Sequence, residues 1–176
     1  MKIVDPLRMS SAKLDGWVRD GSAPRLCGGY VAMLAAEGPH GAAKLAEWLA
    51  ARDVPARAAG WTLLAQLALR DEAMADASFE RWLGEIERGI EVAPDAERYV
   101  MNQAVIAIGC RSGGLRKAAL AAAGRIGTVE VDHGDTACKT PDAAASIAKA
   151  WAHSVEKGFD SPAAQERTRA TPRLRC

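Results

Sequence analysis

Apolar residues recur at three- and four-residue spacing along nearly the whole chain, and this periodicity constrains the fold more than any other feature. Such spacing places the apolar side chains on one face of an α-helix. Alanine is abundant and runs of β-branched residues are almost absent, which also favours helix over strand. The sequence therefore predicts an all-α protein.

Proline and glycine residues mark where the predicted helices begin and end. Pro24, Pro55 and Pro94 each stand at a helix start, where the missing N–H of proline breaks no helical hydrogen bond. Ser78 opens another helix as its N-cap residue. The predicted helices cover residues 6–19, 24–36, 40–51, 55–70, 78–91, 95–110, 113–126 and 141–157.

Two of the predicted helical hairpins resemble each other and indicate a repeat. Trp48 and Trp82 occupy matching positions 34 residues apart, and each precedes a proline-containing turn and a second helix. A single hairpin cannot bury its apolar face, so the predicted architecture is a stack of antiparallel helix pairs, a HEAT-like α-solenoid. We expect one such domain over residues 1–160, followed by an Arg-rich flexible tail over residues 161–176.

One short run departs from the helical pattern. Residues 128–132 read Thr-Val-Glu-Val-Asp, which is typical of a strand, and a polar loop with His133, Asp135 and Cys138 follows. With Asp132, these side chains offer nitrogen, oxygen and sulfur ligands, but their spacing matches no standard zinc module. The simpler interpretation is a loop whose polar side chains bond to its own backbone, with no metal.

Charge and composition exclude several classes of protein. The net charge is +1, and residues 1–160 hold 19 basic against 21 acidic residues, so the body is not a generally basic nucleic-acid-binding domain. No apolar stretch is long enough to span a membrane and the N-terminus lacks a signal peptide, so we expect a cytoplasmic protein. The four cysteines form no CxxC pair and are expected to be free thiols, two or three of them in the core.

Three segments carry a resemblance to a known family. They are residues 57–65 (Arg-Ala-Ala-Gly-Trp-Thr-Leu-Leu-Ala), 101–111 (Met-Asn-Gln-Ala-Val-Ile-Ala-Ile-Gly-Cys-Arg) and 125–143, which includes Asp-His-Gly-Asp-Thr-Ala-Cys-Lys-Thr-Pro. The third is the most specific, because so long a loop match is hard to obtain by chance. With Trp-Val-Arg-Asp at 17–20, they resemble the DNA alkylation repair family, the HEAT-like glycosylases that excise positively charged alkylpurines.

The resemblance implies a concave helical surface that holds duplex DNA by its backbone, with no cofactor. In the family an aspartate stabilises the sugar cation as the glycosidic bond breaks, which can suffice for a cationic leaving base. The family's Trp-x-x-x-Asp pattern is absent after residue 20, Gln103 stands where many members carry a tryptophan, and the chain begins late relative to the family. We therefore expect an N-terminally shortened, degenerate member, whose exposed apolar end would favour a homodimer.

Several residues are candidates for the site that the resemblance implies. Asp20 is the candidate catalytic carboxylate, with a turn residue as the alternative. Arg57 matches an arginine that binds phosphate or a carboxylate, and a structural arginine in a helix first turn is its alternative. Trp17 and Arg19 lie beside Asp20 and are candidate DNA contacts. Near helix ends, where cations also complement the helix dipole, the candidates are Arg111, Arg116 and Lys117. The remaining tryptophans are expected in the core: Trp48, Trp61, Trp82 and Trp151.

Three functions follow from these observations. The first is a DNA alkylation repair-like protein that binds duplex DNA on a concave helical surface, with N-glycosylase activity as a further expectation. The second is a catalytically inactive helical-repeat scaffold that binds protein partners. The third is a metal-dependent or redox-active module that uses the loop from His133 to Cys138.

Overall fold

The computed structural model describes residues 4–20 and 24–169, and over these ranges the protein consists of helices without a β-strand. The predicted all-α class is therefore confirmed. A short 3-10 helix covers Pro6–Arg8. The α-helices of the described chain are α1 (Ser11–Arg19), α2 (Pro24–Glu37), α3 (Gly41–Leu49), α4 (Val54–Arg70), α5 (Asp76–Gly89), α6 (Asp95–Gly109), α7 (Gly113–Ile126), α8 (Ala143–Glu156) and α9 (Pro162–Thr168).

The starts of α2 to α8 agree with the predicted starts to within two residues, although Ser78, predicted as an N-cap residue, lies inside α5, whose N-cap is Ala75. Capping side chains set some of these starts. Asp53 accepts a hydrogen bond from the backbone N–H of Ala56 at 3.0 Å, immediately before α4. Ser112 caps α7 in the same way through Leu115 N–H. These side chains bond to N–H groups that have no partner within the helix, so each fixes a helix start.

Helices α2 to α8 form two layers. In one layer α4 packs between α2 and α6, and α6 packs in turn against α8. The other layer contains α3, α5 and α7, with α3 packed on α4 and α7 packed on α6 and α8. Between the layers lies an apolar core that includes Leu63, Leu64, Phe79, Ile86 and Ile108. This arrangement is the predicted stack of helix pairs.

A glycine allows the last pair of the stack to pack closely. A Cβ atom at Gly109 of α6 would lie 2.5 Å from the side chain of Ile147 of α8, so alanine would force the two helices apart. The indole N–H of Trp151 donates to the Gly109 carbonyl at 2.7 Å. Gly109 therefore fixes the position of α8, which carries part of the candidate site.

Two elements predicted from the sequence are wrong: the continuous helix over residues 6–19 and the strand over residues 128–132. The predicted helix over 6–19 is interrupted, because Ser10 adopts an extended conformation and caps α1 through the N–H of Lys13. The predicted strand at 128–132 forms no β-strand in the described chain. Its backbone is held instead by α6, where Arg98 donates to the carbonyl of Glu130.

The predicted flexible tail begins with an ordered helix. Ser161 caps α9, and the backbone N–H of Ala163 donates to the carbonyl of Cys110 at the end of α6. Arg70 of α4 forms an ion pair with Glu166. The polar composition of this segment concealed these contacts, which need only one small buried side chain, Ala163. Residues 170–176 lie outside the described chain.

The sequence also predicted that no segment spans a membrane and that the cysteines are free thiols. None of the helices that the structure describes combines the length and apolar character needed to cross a bilayer. Cys110 and Cys138 are free thiols, the first buried and the second exposed. Burial raises the pKa of Cys110 to about 11. The side chain of Cys27 and the whole of Cys176 lie outside the described residues.

Candidate nucleic-acid interface

Apart from the parts of α4 and α8 that α9 contacts, the layer of α4, α6 and α8 has a surface that faces away from the other layer, and we call it the open face. Each of these helices packs its buried side against neighbours and presents a stripe of accessible residues at helical spacing. Since the three helices lie side by side, the stripes face the same side of the layer. The open face consists of Ala58, Thr62 and Gln66 on α4, Tyr99, Gln103 and Ile106 on α6, and Lys149, His153 and Lys157 along α8 and its C-cap.

Charge is unevenly distributed over the open face. The stripes on α4 and α6 are half-buried and carry no charged side chain, whereas Lys149, His153 and Lys157 are exposed. Neither lysine forms a salt bridge with any residue in the described ranges. Positive charge available to a polyanion is therefore concentrated at the α8 end. The sequence analysis missed these residues, although their four-residue spacing in a predicted helix was the signal.

Arg57 lies between helices rather than on the open face. Its Nε donates to both carboxylate oxygens of Glu97 on α6 at 3.0 Å, and the side chain of Glu97 is only 6% exposed. Its Nη1 donates to the carbonyls of Ala51 and Arg52 after α3. Arg57 thus binds a carboxylate, as the sequence allowed, but it serves to join three elements of the fold.

Arg111 is still more enclosed, with 7% of the residue exposed. Its Nε bonds to Asp76 at 2.9 Å, and its two Nη atoms bond to four main-chain carbonyls between Leu67 and Met74. The guanidinium also lies over the ring of Phe79. Arg111 therefore closes the C-terminus of α4 and has little capacity left for a phosphate.

The two other basic candidates on α7 differ from each other. The guanidinium of Arg116 lies 4.9 Å from the ring centroid of Trp151, so it packs on α8 while remaining half-buried. Lys117 is the next residue of α7, and successive residues of a helix point in different directions, so its side chain points away from Trp151 and is exposed. The predicted basic strip therefore does not come together: Arg111 is enclosed, Arg116 is half-buried, and of the three only Lys117 is exposed.

The candidates on α1 lie at its C-terminal end. Trp17 packs partly against the core, whereas Arg19 and Asp20 are exposed. Asp20 is the C-cap residue, and its backbone N–H donates to the Gly16 carbonyl. Residues 21–23, which follow it, lie outside the described chain. This position agrees with the helix-end role that the sequence gave as the alternative for Asp20.

A carboxylate that the sequence analysis missed lies one turn earlier. Asp15 accepts hydrogen bonds from Lys44 at 2.7 Å and from the indole N–H of Trp48 at 2.9 Å. Burial alone would raise the pKa of Asp15, but these two hydrogen bonds outweigh it and leave the pKa below 3.8. Lys44, 1% exposed, also pairs with Glu47. The sequence signal was the position of Lys44 beside Leu45 on the apolar face of α3.

The loop between α7 and α8 lies against the start of α6 and lines a cavity of about 560 Å³ with Asp95 and Arg98. Asn102 donates to the carbonyl of Pro141, and Asp95 accepts from the N–H of Asp132. In the part of the chain that the structure describes, no three histidine, cysteine, aspartate or glutamate side chains converge as metal ligands. The geometry of this loop therefore gives no support to a metal-dependent function that uses the residues from His133 to Cys138.

A second cavity, which we call the tryptophan cleft, opens between α4, α5 and the start of α6. It measures about 370 Å³, and its lining includes Trp61, Trp82, Val92 and Met101 together with the charged residues Arg57, Glu85 and Glu97. The rings of Trp61 and Trp82 meet edge to face, with centroids 5.9 Å apart and planes at 89°. Val92 is 85% exposed. Trp61 is buried, as expected for a core residue, whereas Trp82 is only half-buried. The expectation that both tryptophans are core residues therefore holds for Trp61 but not for Trp82.

Comparison with known proteins bears on the family. No family model matches the chain, and no curated protein matches it. One solved structure is similar over 91% of this chain and 68% of its own, with 25% sequence identity and a TM-score of 0.75. It is described as a new family of proteins related to the HEAT-like repeat DNA glycosylases with affinity for branched DNA structures. This similarity confirms the HEAT-like helical fold and supports the resemblance seen in the sequence, since the similar protein is itself described as related to the HEAT-like repeat DNA glycosylases.

Proposed function

We propose that this protein binds DNA through the open face, with the cations of α8 as its main contacts to phosphate. The observation that carries the proposal is the stripe of Lys149, His153 and Lys157, which is exposed beside the uncharged stripes of α4 and α6. The similar solved protein, which has affinity for branched DNA structures, supports the same ligand class.

The dimensions of the stripe suit a DNA backbone. Eight residues separate Lys149 from Lys157, which corresponds to about 12 Å along the helix. A duplex presents one negative charge for about every 1.7 Å of its axis, so each of the three side chains can reach a phosphate. Binding of this kind is independent of base sequence and weakens as the salt concentration rises.

The uncharged part of the open face supplies a different kind of contact. Gln66 and Gln103 offer hydrogen-bonding groups, and Tyr99, whose ring meets that of His133 edge to face, offers an aromatic side chain. Such groups can contact sugars or unstacked bases, which a branch point exposes and a continuous duplex does not. We therefore propose that both duplex and branched DNA bind, and that branched DNA binds more tightly.

The proposed activity is binding rather than base excision. The only candidate carboxylate from the family pattern, Asp20, is exposed at the end of α1. Arg57 and Arg111, two of the predicted DNA contacts, are bonded to protein acceptors. The proposal therefore moves the phosphate contacts to α8, with Lys117 and Arg19 as accessible secondary cations.

The test is a DNA-binding titration with matched variants. Wild-type protein, the double variant Lys149→Gln/Lys157→Gln and the control Arg88→Gln are titrated into labelled duplex and four-way-junction DNA. We expect the double variant to lose about tenfold or more in affinity for both DNAs, because each lost phosphate contact removes counterion release. Arg88, exposed on α5, should be dispensable. Unchanged affinity of the double variant would remove the proposal.

A further inference from the structure

Arg116 of α7 differs from the other half-buried arginines whose side chains the structure describes. Each of the others donates to a carboxylate or to a main-chain carbonyl: Arg57, Arg70, Arg98 and Arg167. Arg116 donates to no residue of the described chain, and its guanidinium lies instead over the ring of Trp151. None of its nitrogen atoms is among the unpartnered atoms that are sealed from solvent. The contact with Trp151 therefore holds the guanidinium in place and leaves its donors available to a ligand.

Basic side chains lie on both sides of α8. Trp151 and His153 are two residues apart, so their side chains point about 200° apart around the helix. Because Arg116 lies over Trp151, Arg116 and His153 flank α8 on opposite sides. The two sides are named by their basic residues: the outer row is Arg116 and the exposed Lys117, and the open-face row is Lys149, His153 and Lys157.

Between the two rows α8 presents mostly small side chains. The helix packs against α6 and α7, and α9 contacts it as well. The accessible arc between the rows includes three exposed alanines, Ala145, Ala148 and Ala152. Glu156, at the last position, is the only carboxylate of α8, and Asp160 is exposed four residues further on. Alanine side chains let a helix approach a ligand closely and offer no hydrogen bond to a base edge.

The balance of charge around α8 favours a polyanion. Helices α7 and α8, with the C-cap residue Lys157, contain five lysines and arginines against the single carboxylate of Glu156. Of these five cations, only Arg125 forms a salt bridge with a residue of the described chain, and its partner is Glu87 of α5. Two basic rows separated by a helix fit a ligand with two rows of negative charge. The two phosphate backbones of duplex DNA are such a ligand.

We propose that α8 lies in the major groove of duplex DNA, with the open-face row on one phosphate backbone and the outer row on the other. An α-helix with its side chains measures about 10–12 Å across, and the major groove is about 12 Å wide. The alanines between the rows face the base edges without reading them, so the contact depends on the shape of the DNA rather than on its sequence. This inference rests on the proposed binding of DNA by the cations of α8, and it adds the second strand and the groove.

The salt dependence of binding tests the two rows separately. Labelled duplex DNA is titrated at several salt concentrations with four full-length proteins: the wild type, Lys149→Gln/Lys157→Gln, Arg116→Gln/Lys117→Gln and the control Arg125→Gln. We expect the slope of the logarithm of the association constant against that of the salt concentration to be shallower by about 1.8 in each double variant, because each phosphate contact contributes about 0.9. Arg125→Gln should keep the wild-type slope, since its guanidinium pairs with Glu87.

A single substitution keeps this test independent of folding. Loss of Arg116 removes its contact with Trp151 and can lower stability, whereas Lys117 is exposed. Lys117→Gln alone should make the slope shallower by about 0.9. If Lys117→Gln and the outer-row double variant keep the wild-type slope while the open-face double variant does not, the inference is overturned and the proposed function stands. Equal slopes for all the proteins would remove both.

Modified DNA identifies the groove. A duplex with glucosylated 5-hydroxymethylcytosine in place of cytosine carries sugars in the major groove, whereas netropsin occupies the minor groove of DNA rich in A·T pairs. We expect glucosylation to weaken binding of the wild type about tenfold or more, and saturating netropsin to change it by less than about twofold. Equal affinity for glucosylated and unmodified DNA, or loss of binding with netropsin alone, would contradict the placement of α8 in the major groove, whatever the slopes show.

Discussion

Arginines between the helices and lysines on the open face show how one type of charge serves two purposes in this molecule. Arg57 and Arg111 hold carboxylates and main-chain carbonyls of neighbouring elements. Lys149 and Lys157 are exposed and form no salt bridge with any residue of the described chain. The comparison shows that a cation surrounded by protein carboxylates and carbonyls stabilises the fold, whereas an exposed cation without such acceptors is available to a ligand. Removing the first kind should cost stability, and removing the second kind should cost DNA affinity.

The largest expected effect on stability comes from Arg57→Ala. The substitution leaves Glu97, 6% exposed, without its cation and removes the bonds to the end of α3. We expect the free energy of unfolding to fall by about 4 kcal/mol, since an uncompensated buried charge is strongly destabilising. Urea unfolding monitored by circular dichroism measures the change.

A double substitution shows whether the buried charge is responsible. Arg57→Met/Glu97→Met removes both charges and keeps apolar volume, so it should be more stable than Arg57→Ala. If the double variant is the less stable of the two, the interpretation of Arg57 as a charge partner for Glu97 is wrong.

Arg111→Ala should have the next largest effect. The guanidinium closes the end of α4 through main-chain carbonyls, and its removal leaves those acceptors in a buried site. We expect a loss of about 3 kcal/mol in the free energy of unfolding. Arg111→Lys should recover little of it, because an ammonium cannot reproduce the planar fork of donors. Full recovery by lysine would show that charge alone matters there.

Acidification should weaken the fold through Asp15. Its pKa is below 3.8 in the folded protein, because the hydrogen bonds from Lys44 and Trp48 outweigh the effect of burial. The unfolded chain therefore binds more protons, and the contribution of Asp15, complete above about pH 5, is lost as the pH falls through the folded pKa. The free energy of unfolding measured between pH 6 and pH 3 should fall less in Asp15→Asn than in the wild type. Parallel curves would contradict this role.

The smallest expected effect belongs to Asp20→Asn. Asp20 is an exposed C-cap residue, so its substitution should change stability by less than about 0.5 kcal/mol and leave DNA affinity unaltered. Neither the wild type nor the variant should release methylated purines from alkylated duplex DNA. Release by the wild type that Asp20→Asn abolishes would reinstate the glycosylase function.

Much of the fold was predictable because its signals are local. Pro55 and Ser112 mark helix starts through their own backbone or capping chemistry, which depends on no distant residue. Helix α9 was missed because its stability depends on remote partners, the Cys110 carbonyl and Arg70. The loop at 128–132 was misassigned for the same reason, since Arg98 holds its backbone in place of a second strand.

The site was less predictable than the fold. Nothing in the sequence around Arg57 or Arg111 shows that a carboxylate and carbonyls on other helices surround them. The stripe of Lys149, His153 and Lys157 was visible as a spacing, but only the packing of α8 shows that it is exposed. Homodimer formation and a cytoplasmic location stay predictions from the sequence.

The salt dependence of junction binding tests the central claim most directly. The logarithm of the association constant is measured against the logarithm of the salt concentration for the wild type and for Lys149→Gln/Lys157→Gln. If these lysines contact phosphates, the slope of the double variant should be shallower by about 1.8, or about 0.9 for each lost contact. Equal slopes for the two proteins would show that DNA, if it binds at all, does not bind at the α8 end of the open face.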